Sequence, residues 1–168
     1  MMRFVVVIAA LAGCGKPPMD LLRQPGAAAH AIDAIAKAIG TPRDKLVVLK
    51  VAIKPGELAI YVPDPDDPTR ATRWWFDGLG SVAGPRPVEV DGDATISTFP
   101  LSKMPFERLP SEVAMIGIWL RSPVTQVRLQ FNAIDSNIPL LQSFSFDNGG
   151  ADVELYPDGR VWEFSARR

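Results

Sequence analysis

Apolar positions along this chain recur at two spacings, and each change of spacing marks an element. Residues 27–39 are rich in alanine, the strongest helix former, and place Ile32, Ile35, Ala36 and Ile39 on one face at intervals of three and four. Gly40 and Pro42 stop that helix. Residues 46–53 form a β-type run, Leu-Val-Val-Leu-Lys-Val-Ala-Ile, apolar on both faces. Lys54, Pro55, Gly56 and Glu57 make a turn, and residues 58–62 make a second strand. Residues 63–68 alternate proline with aspartate and can only be a loop. Residues 71–76 are a third strand, closed by Asp77-Gly78.

The second half repeats that order. Residues 109–120 read as a helix with Val113, Ile116, Gly117 and Leu120 on one face, Pro110 and Glu112 in its first turn, and Pro123 beyond its stop. Strands are expected at 125–134, 140–146 and 151–156, with a turn at Asp135-Ser136-Asn137, a loop at Asp147-Asn148-Gly149-Gly150 and a closing Pro157-Asp158-Gly159. A final short strand covers 160–164. The halves align at a constant offset of 81 positions: Ile35 on Ile116, Pro42 on Pro123, Ala52 on Ala133, Ile53 on Ile134, Asp66 on Asp147, Asp77 on Asp158 and Gly78 on Gly159. The expected fold is therefore α+β, with two tandem α-β-β-β repeats at 27–83 and 109–168. A linker at 84–108 joins them, and the helices pack on one face of an antiparallel sheet. In a strand, neighbours face opposite sides. The expected core residues are Ile32, Ile35, Ile39, Val113, Ile116 and Leu120 on the helices. They meet Leu46, Val48, Trp74, Val127, Leu129, Phe131 and Leu155 on the sheet.

This α-β-β-β unit resembles the PepSY-like and β-lactamase-inhibitor-protein-like modules of secreted bacterial proteins. The residues that carry the likeness are the Ala-Ile helix at 31–39, the strand at 57–62, and Trp74-Trp75-Phe76-Asp77-Gly78 with its counterpart Leu155-Tyr156-Pro157-Asp158-Gly159. The resemblance implies a protein that binds or inhibits other proteins, and transfers no contact residue.

Ahead of the first helix lies another apolar run. Arg3 precedes residues 4–11, a stretch of signal-peptide length and far below the ~20 residues of a spanning helix. Leu11-Ala12-Gly13-Cys14 follows and resembles the lipobox of bacterial lipoproteins at all four positions. The resemblance implies a signal peptide at 1–13, cleavage before Cys14, a thioether-linked lipid on Cys14 and a lipidated tether at 14–26. Gly15 stands where Asp is the usual signal for inner-membrane retention, so the expected location is extracytoplasmic, at the outer rather than the inner membrane. Two or three acyl chains anchor stably where one is marginal.

Composition narrows the function classes. Hydrophobic residues make up 47% of 168, enough for a packed core. Lys and Arg number 18 against 19 Asp and Glu, so no bulk charge draws the chain to nucleic acid. The one cysteine excludes an intrachain disulfide, and the one histidine, His30, stands among alanines with no nucleophile at motif spacing. One His and an acylated Cys do not make a zinc site. Asp64, Asp66 and Asp67 cluster oxygens as Ca²⁺ ligands do, but lack the glycine and bidentate Glu of the usual loop, which favours a solvated turn. No catalytic, cofactor-binding or metal residues are expected.

The aromatic strand carries the remaining functional signal. Thr72, Trp74 and Phe76 share one side, the apolar side, and Arg73 and Trp75 share the other. In the second half Val153 and Leu155 oppose Glu154 and Tyr156. Trp75 and Tyr156, with Arg73 and Glu154 beside them, are the candidate protein-binding residues. The competing reading packs both rings between the halves or under the proline-rich segment at 84–110. The leading functional expectation is a non-catalytic, lipid-anchored module that docks an envelope or periplasmic protein through its open sheet face. The alternative is a structural or envelope-maintenance lipoprotein with no specific partner, and an enzyme ranks behind both.

Overall fold

The computed structural model describes residues 17–91, 94, 98–104, 106–130, 141–146, 151–155 and 160–166; for 103, 130, 141, 151–155 and 161–166 the backbone alone is described. The residues read as signal peptide and lipobox, Phe131, the expected turn at 135–137, the expected loop at 147–150, and Tyr156 with its Pro-Asp-Gly sequence lie outside the described residues.

The fold is α+β. Helix α1 is Ala27–Ile39 and helix α2 is Leu109–Leu120. One antiparallel sheet contains β2 (Lys50–Lys54), β3 (Glu57–Pro63), β4 (Arg70–Phe76), β5 (Val82–Glu89), β7 (Val124–Gln130), β8 (Leu141–Phe146), β9 (Ala151–Leu155) and β10 (Val161–Ala166). Its spatial order is β10-β9-β8-β7-β2-β3-β4-β5. Two four-strand meanders therefore run outward from a shared seam, where β2 pairs with β7 antiparallel. Two short strands, β1 (Val47–Val48) and β6 (Phe99–Pro100), pair separately.

Each helix ends for a local reason. Gly40 takes a left-handed conformation (φ 80°) and donates its N–H to Ala36 O, and Arg121 (φ 49°) closes α2 in the same way on Gly117 O. The inward faces agree with expectation. Ile32, Ile35, Val113 and Ile116 are buried, and Ile39 and Leu120 pack at the margin of the core. One face of the sheet meets them in two rows. Phe144, Val127, Ile53, Leu58 and Phe76 form one; Leu129, Val51, Ile60 and the half-buried Trp74 belong to the other. Burying a side chain of this size contributes about 1.5–3 kcal/mol.

Three expectations need correction. The run at 46–53 is not one strand. It breaks at Leu49, so Leu46 and Val48 are buried on one side of the break and Val51 and Ile53 beyond it. An apolar run with no alternation cannot show such a shift of phase, because both registers look equally hydrophobic. The segment at 84–108 does more than link. Most of β5 lies in it, as an edge strand that tolerates Pro85 and Pro87 because one of its sides needs no ladder hydrogen bonds. The same segment contributes Phe99, Leu101, Met104 and Phe106 to the core. Residues 19–23, expected to belong to a tether, are instead held against the body. Leu21 and Leu22 are fully buried, and the Met19 and Leu21 N–H groups donate to Gly78 O (2.9 Å) and Pro55 O (2.8 Å).

The 81-position offset holds over the helices and their left-handed caps and fails in the strands. Ten positions separate Gly40 from Lys50, whereas three separate Arg121 from Val124. The first half adds a fourth strand, β5, to the three expected, whereas the fourth strand of the second half, β10, answers to the final strand expected at 160–164.

Candidate functional site

Both helices pack on the same face of the sheet, which leaves the other face without a helix. Cross-strand pairing sets a continuous row across it: Ala83, Trp75, Ala59, Ala52, Arg128, Ser143, Glu154 and Glu163, one from each strand. The adjacent row runs Arg86, Arg73, Tyr61, Lys50, Gln130. Alternation along each strand puts the described side chains of these rows opposite the core rows. Among the described side chains of the two rows most are half-exposed or exposed, while Ala59 is shielded by its larger neighbours.

Trp75 and Arg73 are brought together as the strand alternation requires. The Arg73 guanidinium lies over the Trp75 ring, 5.2 Å from its centroid, and its Nη2 donates to Glu57 Oε1 at 2.8 Å. Trp75 is half-buried and stays out of the core cluster, whereas Trp74 packs against it. Gly84 makes room for Trp74: a Cβ there would stand 3.0 Å from the indole and 2.9 Å from Arg73 O. Residues 86–89 pair with 73–70 in the sheet, and Ala83 stands opposite Trp75. Of the second-half candidates, the Glu154 backbone falls in the same row as Trp75, five strands away, while Tyr156 is outside the described residues.

Residues not singled out in the sequence complete this face. Lys50 stands over the Tyr61 ring at 5.2 Å, a second cation–aromatic pair one row from the first. Burial, reinforced by the nearby Arg128 charge, holds the Lys50 ammonium below its ordinary pKa. Arg128 is exposed and makes no ion pair among the described residues. The alternation Lys50-Val51-Ala52-Ile53-Lys54 was the signal for this face, hidden while 46–53 was read as one uniform strand.

A second surface was also missed. Ile118 (75% exposed), Trp119 (61%) and Met115 (36%) form a stripe along the outside of α2. Beside it is a groove of about 510 Å³ lined by Arg23, Pro110, Val113, Gly117, Ile118 and Arg121. Glu112 is the one charged residue in α2, so the helix has no polar face, and that pattern was the available sign. Glu112 itself is buried, and desolvation raises its carboxyl pKa against a weaker opposing pull from Arg108 at 3.7 Å.

The acidic loop uses its carboxylates on itself. Asp64 Oδ1 accepts the Asp66 N–H, and Asp67 Oδ1 accepts the Thr69 N–H and hydroxyl, which holds the Asp67 pKa below its usual value. His30 is exposed and meets Phe76 edge-on at 5.8 Å. Among the described residues no cluster of three or more His, Cys, Asp or Glu is placed to hold a metal ion. Among them no helix is long and apolar enough to cross a membrane. No family model matches the chain, and the searches of curated proteins and of solved structures returned no match.

Proposed function

We propose that this protein is a lipid-anchored, non-catalytic binding module of the cell envelope that docks another protein on the helix-free face of its sheet. The anchor is Cys14, read from Leu11-Ala12-Gly13-Cys14, and Gly15 favours the outer membrane. The module is a duplicated helix-and-meander unit of the PepSY-like kind. Support for that is the order of a helix then four strands in each half, and the shared spacing of the two helices.

One observation carries the docking reading. In the central row, Trp75 and Arg128 stand on either side of Ala59 and Ala52. Ala59 is covered by its larger neighbours, so the low point between the two long side chains is the half-exposed Ala52, a shallow trough about one strand wide, roughly 5 Å. One wall is an indole already stacked by Arg73, so little side-chain freedom remains to be lost on binding. The other wall is an arginine with no partner among the described residues, and Lys50 stands near it. A segment with an apolar side chain for Trp75 and a carboxylate for Arg128 fits that pattern.

Photo-crosslinking in intact envelopes tests the reading. A crosslinker placed at Ser143 in the row should give one discrete protein adduct. Trp75→Ala should remove most of that adduct and leave the thermal melt nearly unchanged. An adduct of equal yield in Trp75→Ala removes the support for docking at this face.

A further inference from the structure

We infer that the outer face of α2 rests on the lipid surface to which Cys14 is attached, so that the helix-free face of the sheet is turned to the aqueous side. The inference builds on the anchor reading of Cys14 and adds the face by which the body meets the membrane.

The tether defines which part of the molecule is near the lipid. Met19 is hydrogen-bonded into the fold, and five positions separate it from Cys14. A fully extended chain covers at most about 3.6 Å per residue, so Met19 is held within roughly 18 Å of the acylated sulfur's own residue. Met19 binds Gly78 O in the β4–β5 turn, and Leu21 binds Pro55 O in the β2–β3 turn. Arg23 Nη2 donates to Val124 O at 2.7 Å, at the start of β7. Pairing of β2 with β7 puts Val124 at the same end of the sheet as those turns. Arg23 also lines the groove with Ile118 and Arg121. The anchored end and the C-terminal turn of α2 are thus adjacent.

What is exposed there suits a bilayer interface. Ile118, Trp119 and Met115 are spaced at three and four positions, which makes one stripe. Leu79, 69% exposed, caps the β4–β5 turn that receives Met19. Tryptophan is the side chain most at home where acyl chains meet headgroups. Arg23 and Arg121 flank the groove at headgroup height. Arg23 is paired with Asp20, and Arg121 makes no ion pair among the described residues, which leaves a cation for a lipid phosphate. A second copy is the weaker occupant. Three side chains on one helix fall far short of the ~800 Å² per partner of a stable interface. α2 packs its other side on the core, so its outer stripe and the helix-free sheet face look in opposite directions.

The experiment uses the acylated full-length chain in vesicles of phosphatidylethanolamine and phosphatidylglycerol. Cys14 is the natural chain's one cysteine, so after acylation an introduced cysteine is the sole thiol. Ile118→Cys and, on the opposite face, Arg86→Cys each carry an environment-sensitive fluorophore. Both positions are exposed, so neither change disturbs packing. The label at 118 should shift to the blue and lose most of its emission to brominated acyl chains, and the label at 86 should do neither. A water-exposed label at 118 on a chain with fatty acid on Cys14 overturns the placement and leaves the anchor standing. So does a label at 118 that self-quenches with rising protein density and ignores brominated lipid, because a second copy then covers α2. Absence of fatty acid from Cys14 overturns the anchor and this placement together.

Discussion

Helix α1 buries Ala28, Ala31, Ile32 and Ile35; helix α2, 81 positions on, buries Leu109, Glu112, Val113 and Ile116. On the outside, the exposed Asp33, Lys37 and Ala38 of α1 correspond to the exposed Ala114, Ile118 and Trp119 of α2. The two helices do the same work toward the sheet and opposite work toward the surroundings. Packing constrains only the inward positions, since an exposed side chain contributes little to the core. The exposed Ile118 of α2, where α1 has Lys37, is therefore not accounted for by packing within the fold.

The largest expected effects test the inward agreement. Ile35→Ala and Ile116→Ala should each cost about 2–5 kcal/mol, because both side chains are fully enclosed and leave cavities. Denaturant melts check this, and a loss at one site without the other breaks the equivalence of the two helices. Next comes the pair of tryptophans on β4. Trp74→Ala should destabilise by roughly 2–3 kcal/mol, below the full core value because the ring is only half-buried. Trp75→Ala should weaken partner capture by roughly 2 kcal/mol while the melt hardly moves. If the two variants unfold alike, the Trp75 ring is part of the core.

A smaller effect is expected at Glu112, where α1 has the fully buried Ala31. Its Oε1 is buried without a hydrogen bond, and Arg108 is no nearer than 3.7 Å. Burial raises the folded-state pKa, so the fold favours the protonated acid. That preference is fully present below the unfolded pKa and is lost as pH rises through the raised folded value. Glu112→Gln should therefore melt above the natural chain at neutral pH. The two curves should converge at and below about pH 4, the ordinary carboxylate range. A gap that persists in acid places the cause elsewhere.

The smallest stability effect tests the outward contrast. Ile118→Lys copies the residue of α1 at the matched position and should change stability by less than about 0.5 kcal/mol. In vesicles the same change should shift membrane placement, read by the fluorescence of a probe on α2. A loss of several kcal/mol on Ile118→Lys would return that side chain to the core.

Much of the architecture was legible in the residues. Both helices, their inward faces, and the opposite orientation of Trp74 and Trp75 follow from three-four and two-fold spacing, and the stop of α1 follows from Gly40, whereas the left-handed cap at Arg121 carried no such mark. The phase shift at Leu49 was not legible, because a uniformly apolar run fits either register. Strand β5 was hidden by Pro85 and Pro87, which mark a loop unless the strand lies at an edge. The place of Arg128 in the row was also hidden. It is 53 positions from Trp75, and only the pairing of β7 with β2 carries the row from one to the other. The outer stripe of α2 could have been read from its missing polar face, since an amphipathic helix needs one and residues 113–120 hold no charge at all.

Local pattern was sufficient for element type, helix faces and the α+β class, since those depend on the spacing of apolar residues within ten or so positions. The seam between β2 and β7, the row that carries Trp75 and Arg128, and the nearness of α2 to residues 19–23 are long-range. They come from burying both meanders' apolar rows under two helices at once. That condition acts on the whole chain, and no single segment records it.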